Sequence, residues 1–139
     1  MKKVMVFGTF DIVHCGHLHM FTKAREYGDT LVVVVGRDKN VERIKGVEPF
    51  HNEGERLHFI SHIDLVDKAV LGDKEDVYRV IREEKPDVIA LGYDQKEYID
   101  NLAREITKAG LTIEIVRLSE YQEHRFKSRI LKKYMERIV

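Results

Sequence analysis

The 139-residue sequence contains one cysteine, Cys15, so no disulfide can form within the chain. It also lacks long apolar runs, since the longest, Leu31 to Val35, is far too short to span a bilayer. No signal peptide is recognisable at the amino terminus. We therefore expect a soluble cytoplasmic protein with no membrane partner.

The sequence has no excess charge of either sign, because Lys and Arg together number 24 and Asp and Glu together also number 24. Proteins that coat nucleic acid carry a surplus of basic residues, so this balance argues against a nucleic-acid partner. Hydrophobic residues make up 43% and charged residues 35%, which is typical of a globular domain. We expect a single domain over residues 1–139, with no linker, repeat or low-complexity tract.

Five short runs rich in β-branched and other apolar residues recur along the chain. They are Val4 to Phe7, Thr30 to Gly36, KAVLG, DVIALG and LTIEIVRL. Runs without alternation between polar and apolar residues indicate strands that are covered on both faces, as in a parallel sheet. The sequence predicts an α/β, Rossmann-like, doubly wound parallel sheet of five strands in the order 3-2-1-4-5, flanked by helices.

Apolar stripes with helical spacing lie between the predicted strands. The residues expected to begin or end these helices are Gly28, Asn52 with Glu55 as a capping box, Pro86 and Gly110. A last helix is expected from Ser128 to Val139, with Ile130, Leu131 and Tyr134 facing the core. In such a sheet a ligand binds beyond the carboxyl ends of the strands, beside strand 1.

The segment GTFDIVHCGH, residues 8–17, falls at that position. Gly8 lets the chain leave strand 1 sharply, and a helix is expected to begin near Gly16 with its free N–H groups facing the cleft. His14 and His17 are three residues apart at this helix start, so both imidazoles can point the same way. Together with the positive end of the helix dipole, they would form a clamp for phosphate groups.

Three other readings of the same residues remain open at this point. His14, Cys15 and His17 could ligate zinc, although no second cluster in the sequence supplies a fourth ligand. Cys15 could act as a nucleophile with a histidine partner, although no third residue supports it. The two histidines could also be purely structural.

The segment GTFDIVHCGH resembles the HxGH signature of the nucleotidyltransferase superfamily, in the GTFDxxHxGH form of small cytidylyltransferases and adenylyltransferases. The resemblance covers nearly the whole chain and extends to VGRDKNVERIKG, ERLHFISHIDLVD, LGYDQ and FKSRILKKY. It implies attack by a phosphate monoester on the α-phosphorus of a nucleoside triphosphate, with pyrophosphate as the leaving group. It also implies Mg²⁺ carried on the triphosphate and no metal bound by the protein itself.

The resemblance implies two groups of site residues. The expected catalytic residues are His14, His17, Lys45 and Arg129. The expected nucleotide-binding residues are Gly8, Thr9, Phe10, His14, Cys15, Gly16, His17, Gly92, Asp94, Tyr121 and Ser128. Arg56 matches an arginine that relatives carry on a helix. Lys127 departs from the pattern, because relatives have a second Ser or Thr there.

The GYDQ loop, the EIVRL strand and the following Tyr121 resemble those of archaeal FAD synthases, which would transfer AMP from ATP to FMN. Three alternatives stay open: a cytidylyltransferase that uses CTP and glycerol 3-phosphate or another polyol phosphate, a phosphopantetheine adenylyltransferase, and a non-catalytic nucleotide sensor. The resemblance also implies a homodimer. The apolar stripe of Leu57, Ile60 and Ile63 would either serve that contact or pack on the sheet.

Overall fold

The fold is taken from a computed structural model that describes residues 1–92, 99–118 and 128–138. Five strands alternate with six helices within these ranges. The strands are β1 (Lys3–Gly8), β2 (Thr30–Val35), β3 (Lys68–Leu71), β4 (Val88–Leu91) and β5 (Glu114–Arg117). The helices are α1 (Cys15–Arg25), α2 (Asp38–Lys45), α3 (Glu53–Ser61), α4 (Arg79–Glu84), α5 (Ile99–Lys108) and α6 (Ser128–Ile138).

The strands form one parallel sheet in the order β3-β2-β1-β4-β5, which confirms the predicted topology. β1 lies at the centre, and its pairing with β2 runs from Lys3 opposite Thr30 to Gly8 opposite Val35. The chain order reverses at β1, because β2 and β3 lie on one side of it and β4 and β5 on the other. The cleft expected at such a reversal therefore opens where β1 ends.

Both faces of the sheet are covered, which explains the continuous apolar runs. On one face, Val4 and Val6 of β1 pack in a cluster with Phe21 of α1 and Ile60 of α3. On the other face, a second cluster joins the sheet to α4 and α5. It contains Met5, Val32, Val34, Val80, Ile81, Ile89, Leu91, Leu102 and Ile106. The helices thus enclose the sheet from both sides, as a doubly wound fold requires.

Two predicted helix features are wrong in detail. α1 ends at Arg25 rather than at Gly28. Gly28 is instead needed because the segment of Lys2 and Val4 passes close to it. A Cβ at position 28 would lie 2.7 Å from Val4 Cγ2 and 2.8 Å from the Lys2 carbonyl oxygen. In α6, Tyr134 is 56% exposed rather than packed in the core, and it lies in a stretch, residues 133–137, that is exposed throughout.

The capping box predicted for α3 is confirmed. The Asn52 side chain accepts from the Glu55 backbone N–H at 2.8 Å, and Glu55 Oε1 accepts from the Asn52 N–H at 3.0 Å. The Leu57, Ile60 and Ile63 stripe packs against the core cluster that contains β1 and α1, so this stripe faces the sheet. None of the helices in the ranges given above is sufficiently long and apolar to cross a membrane.

Candidate active site

The candidate site lies at the carboxyl end of β1, in the loop that leads into α1. β1 ends at Gly8 and α1 begins at Cys15, so residues 9–14 cross the edge of the sheet. Val35 at the end of β2 pairs with Gly8, and β4 runs parallel to β1 on the other side. The loop therefore sits between the carboxyl ends of three neighbouring strands.

His14 and His17 form a capping box that uses imidazoles in place of the usual hydroxyl and carboxylate. His14 is the N-cap, with extended backbone angles of φ −146° and ψ −177°, and its Nδ1 accepts from the Gly16 N–H at 3.1 Å. His17 Nδ1 accepts from the His14 N–H at 3.1 Å. The two ring centroids are 4.1 Å apart, so the histidines do lie together at the helix start.

This capping fixes the tautomer of both rings. An Nδ1 that accepts a backbone N–H carries no proton, so the hydrogen of each neutral imidazole lies on Nε2. Protonating either ring would put a hydrogen on the accepting nitrogen and break the cap. Both histidines are therefore held as neutral donors through Nε2.

The surroundings also disfavour a charged imidazole. Burial is the largest of the causes that together lower the pKa of His17 to about 3, and repulsion from the positive charge of Lys45 and from a protonated His14 acts in the same direction. Burial also lowers the pKa of His14. Lys45, at the last position of α2, is exposed and lies close enough to His17 to act on it electrostatically. At neutral pH the positive charge beside the pair comes from Lys45.

The loop before the histidines has an unusual backbone. Phe10 and Ile12 both have φ of 55°, in the left-handed region that non-glycine residues rarely adopt. The Phe10 ring is 4% exposed and packs edge-on against His17, with ring centroids 5.6 Å apart. A Cβ on Gly8 would lie 2.7 Å from Phe10 Cζ. Gly8 is therefore required so that the Phe10 ring can fold back under His17.

Asp11 lies between these two strained residues, and sequence reasoning did not select it as a site residue. Its carboxylate accepts from the backbone N–H groups of Phe50 and His51 at 2.7 and 3.0 Å, and from Lys132 Nζ at 2.8 Å. Burial alone would raise the pKa of Asp11, but these hydrogen bonds outweigh it and lower the pKa. Asp11 thus ties the α1 loop both to the segment before α3 and to α6.

Arg56 is 1% exposed and links several segments around the same loop. Its guanidinium donates to the carbonyls of Thr9 at 2.7 Å, Gly36 at 2.8 Å and His51 at 3.0 Å. It also pairs with Asp38 Oδ1 at 2.5 Å. These bonds use four of the five N–H groups of the guanidinium, so Arg56 holds the Thr9 loop against the segments of Gly36 and His51.

The structure places most of the predicted site residues at this end of the sheet. The residues of the β1–α1 connection and α2 that it brings together are Gly8, Thr9, Phe10, His14, Cys15, Gly16, His17 and Lys45. Cys15 is exposed at the first position of α1. Gly92 directly follows β4, and positions 128 and 129 form the start of α6. Asp94, Tyr121 and Lys127 lie outside the described residues.

The metal reading of the histidine segment finds no support in the part of the chain that is described, where no three His, Cys, Asp or Glu side chains converge. The Nδ1 atoms of His14 and His17 already accept backbone N–H groups, and Cys15 turns to solvent. What the two histidines can do is donate hydrogen bonds through their Nε2 atoms, because each Nδ1 already accepts a backbone N–H. This chemistry suits phosphate oxygens.

A family model for cytidylyltransferase-like proteins matches residues 5–134. The chain belongs to the cytidylyltransferase-like family. Among curated relatives, the FAD synthase of Thermoplasma volcanium is 44% identical over 99% of this chain and 97% of its own length. The FAD synthase of Archaeoglobus fulgidus is 43% identical over 94% of this chain and 98% of its own length.

Solved structures of similar proteins have the same architecture. A crystal structure described as the lipopolysaccharide core biosynthesis protein of Thermoplasma volcanium shares 45% identity and a TM-score of 0.82, over 88% of this chain and 99% of that chain. The pantoate-beta-alanine ligase of Francisella tularensis shares 12% identity and a TM-score of 0.58, over 97% of this chain and 69% of that chain. The second likeness shows the fold alone.

Proposed function

We propose that the protein is a FAD synthase, which transfers AMP from ATP to FMN and releases pyrophosphate. The observation that carries this proposal is the likeness to FAD synthases at 44% and 43% identity over nearly whole chains. The geometry supports it, because two neutral imidazole donors lie at the start of α1 and Lys45, at the end of α2, lies close enough to act electrostatically on His17.

The reaction needs no nucleophile or base from the protein. The phosphate of FMN, whose second pKa is about 6, is largely ionised at neutral pH and attacks the α-phosphorus itself. A bond forms between an FMN phosphate oxygen and the α-phosphorus, while the bond from that phosphorus to the bridging oxygen of pyrophosphate breaks. The enzyme has to align the two phosphates and neutralise the charge that develops on them.

The site residues suit that task. His14 and His17 would each donate through Nε2 to phosphate oxygens, and Lys45 would supply the adjacent positive charge. Neutral imidazoles suit this role, because they can donate hydrogen bonds throughout the reaction without gaining or losing a proton. Ser128 and Arg129, at the start of α6, would hold and neutralise the leaving pyrophosphate.

The nucleotide would lie across the carboxyl ends of β1 and β4. We assign its phosphates to the loop of Gly8, Thr9 and Phe10 and to the first turn of α1, which includes Cys15 and Gly16. The base and ribose would meet Gly92, Asp94 and Tyr121, as the family resemblance implies. The position of Gly92 directly after β4, next to β1 in the sheet, supports this path.

We assign Mg²⁺ to the triphosphate rather than to a protein cage. The carboxylates described near the histidines already have partners: Asp11 accepts from Lys132 and two backbone N–H groups, and Asp38 pairs with Arg56. Mg²⁺ keeps much of its water and is commonly held by substrate phosphates. Bound in that way, it would offset negative charge on the triphosphate.

We also infer a cytoplasmic homodimer without nucleic-acid or membrane partners. The balanced charge supports the absence of a nucleic-acid partner, and the family resemblance supports the dimer. The stripe of Leu57, Ile60 and Ile63 packs on the sheet, so a dimer would use another surface. Light scattering at micromolar concentration measures this state directly.

The proposed activity is tested by crossing ATP and CTP with FMN, glycerol 3-phosphate and 4′-phosphopantetheine in the presence of Mg²⁺. Pyrophosphate release is followed, and the products are identified by mass. FAD from ATP and FMN is the expected product. A CDP-polyol would keep the mechanism but overturn the substrate assignment, and ATP binding without turnover in every combination would indicate a nucleotide sensor.

A further inference from the structure

We propose that Lys132 is a positioning residue, which orients the first turn of α6 toward the histidine pair through its ion pair with Asp11. The observation is a contact of 2.8 Å between Lys132 Nζ and Asp11 Oδ2, made by residues 121 positions apart in sequence. Asp11 lies in the loop that leads to His14, and Lys132 lies one turn beyond the start of α6. The ion pair therefore connects the two segments proposed to hold the triphosphate.

The Asp11 side of this contact is rigid and nearly dry. Its side chain is 6% exposed, against 39% for that of Lys132. Both carboxylate oxygens also accept backbone N–H groups, from Phe50 and from His51. A carboxylate fixed by two amides in this way cannot swing to follow a moving lysine. The ion pair thus sets where Lys132, and the helix that carries it, comes to rest.

The helix geometry transmits this placement to the reacting end of α6. Positions 128 and 129 precede Lys132 by four and three residues, so they share its face of the helix, one turn nearer the amino terminus. A helix held by Lys132 to the loop before His14 turns that face toward the loop. Residues 133–137 of α6 are exposed, whereas Lys132 is partly buried.

The Phe50 and His51 amides give Asp11 a second connection, to the segment between α2 and α3. Lys45, which lies close to His17, ends α2. Asp11 thus joins three segments around the proposed triphosphate site: the histidine loop, the chain after Lys45, and α6. Lys132 connects Asp11 to α6, and the loss of Lys132 leaves the two hydrogen bonds from the Phe50 and His51 amides to Asp11 in place.

The inference rests on the proposed adenylyl transfer, and the variant Lys132→Met tests it. Lys132→Arg keeps the charge, and Lys133→Met is the matched control, because Lys133 is the exposed neighbour on the same helix. We expect Lys132→Met to lose roughly 10- to 100-fold in kcat, as for a misplaced catalytic group, with the KM for FMN nearly unchanged. Lys132→Arg should restore most of the activity, and Lys133→Met should match the wild type.

Amide hydrogen exchange in α6 gives a readout that does not depend on turnover. With ATP bound, residues 128–138 should exchange faster in Lys132→Met than in Lys133→Met. Equal exchange in the two variants, or a kcat for Lys132→Met equal to that of Lys133→Met, would overturn the positioning role. If the wild type makes no FAD while exchange still separates the variants, the adenylyl transfer fails and the seating of α6 stands.

Discussion

Replacing Arg56 by methionine should remove much of the stability of the fold, although the methionine side chain nearly fills the space that the arginine side chain occupies. Arg56 is 1% exposed and donates to three backbone carbonyls, those of Thr9, Gly36 and His51. Its fourth partner is the carboxylate of Asp38. Methionine packs in the same space but donates nothing, so all four acceptors lose their partner.

The cost follows from these contacts. A buried acceptor left without a donor costs about 1–3 kcal/mol, and breaking a buried ion pair from one side costs about 3–5 kcal/mol. The Asp38 side chain is 38% exposed, so its pair contributes about 1 kcal/mol, as for a surface pair, rather than the buried value. Three carbonyls at the low end of their range add about 3 kcal/mol, so we expect Arg56→Met to lower the free energy of unfolding by about 4 kcal/mol. Against a domain stability of about 5–15 kcal/mol, the variant should still fold but unfold at much lower urea.

Urea denaturation at neutral pH measures this loss, and Arg82→Met is the matched control. Arg82 is exposed and pairs with Asp76, so its loss should cost under about 1 kcal/mol. Arg56→Lys keeps the charge but has fewer donors, and should fall between the two. If Arg56→Met costs no more than Arg82→Met, the guanidinium does not hold these segments together and the reasoning is refuted.

Three further predictions concern the loop and the histidines. His17→Ala should lower kcat by roughly 10²–10³, as for one preorganised donor; unchanged turnover in a folded variant would contradict its role. Because the pKa of His17 falls to about 3 in the folded state, below about 6.5 when unfolded, stability is lost as pH falls below 6.5. Urea midpoints should show the wild type losing about 2 kcal/mol more than His17→Gln between pH 7.5 and 5, and equal slopes would show that burial does not suppress the charge. Gly8→Ala should cost about 1–3 kcal/mol and reduce activity by displacing the Phe10 ring, whereas Gly54→Ala in α3 should be tolerated; equal effects would reject the Phe10 contact.

The sheet was predictable from sequence because its signal is local. β-branched runs mark buried parallel strands wherever the helices lie, so the strand order and the position of the cleft followed from the pattern. α2 was not predicted as a helix, because Val41 is its one buried residue and no apolar stripe marks it. Gly28 is typical of a helix stop, but its role depends on the approach of Lys2, just before β1, and of Val4 in β1, which no local pattern shows.

The candidate site was predictable where its residues are neighbours in sequence. His14 and His17 lie three positions apart and were expected to meet at the helix start. Asp11 stands inside the same motif, but its partners lie 39, 40 and 121 positions away, so its role could not be seen in the sequence. The same holds for Arg56, whose partners Thr9 and Gly36 come from the ends of two strands.

The sequence also does not determine whether the two histidines are charged. A nearby triphosphate would raise the pKa of an imidazole, so the sequence alone left both protonation states open. The capping geometry decides the matter, because each Nδ1 already accepts a backbone N–H. Neutral donors at fixed positions are well suited to a reaction in which phosphates supply both nucleophile and leaving group.

Nitrogen-15 NMR of the imidazole rings at pH 7, with and without ATP, tests these neutral donors most directly. The chain has seven histidines, and the signals of His14 and His17 are assigned from single His→Gln variants. We predict a neutral ring with the proton on Nε2 for both residues, in the free protein and in the ATP complex. A doubly protonated ring, or a proton on Nδ1, would contradict the assignment of both histidines as neutral Nε2 donors.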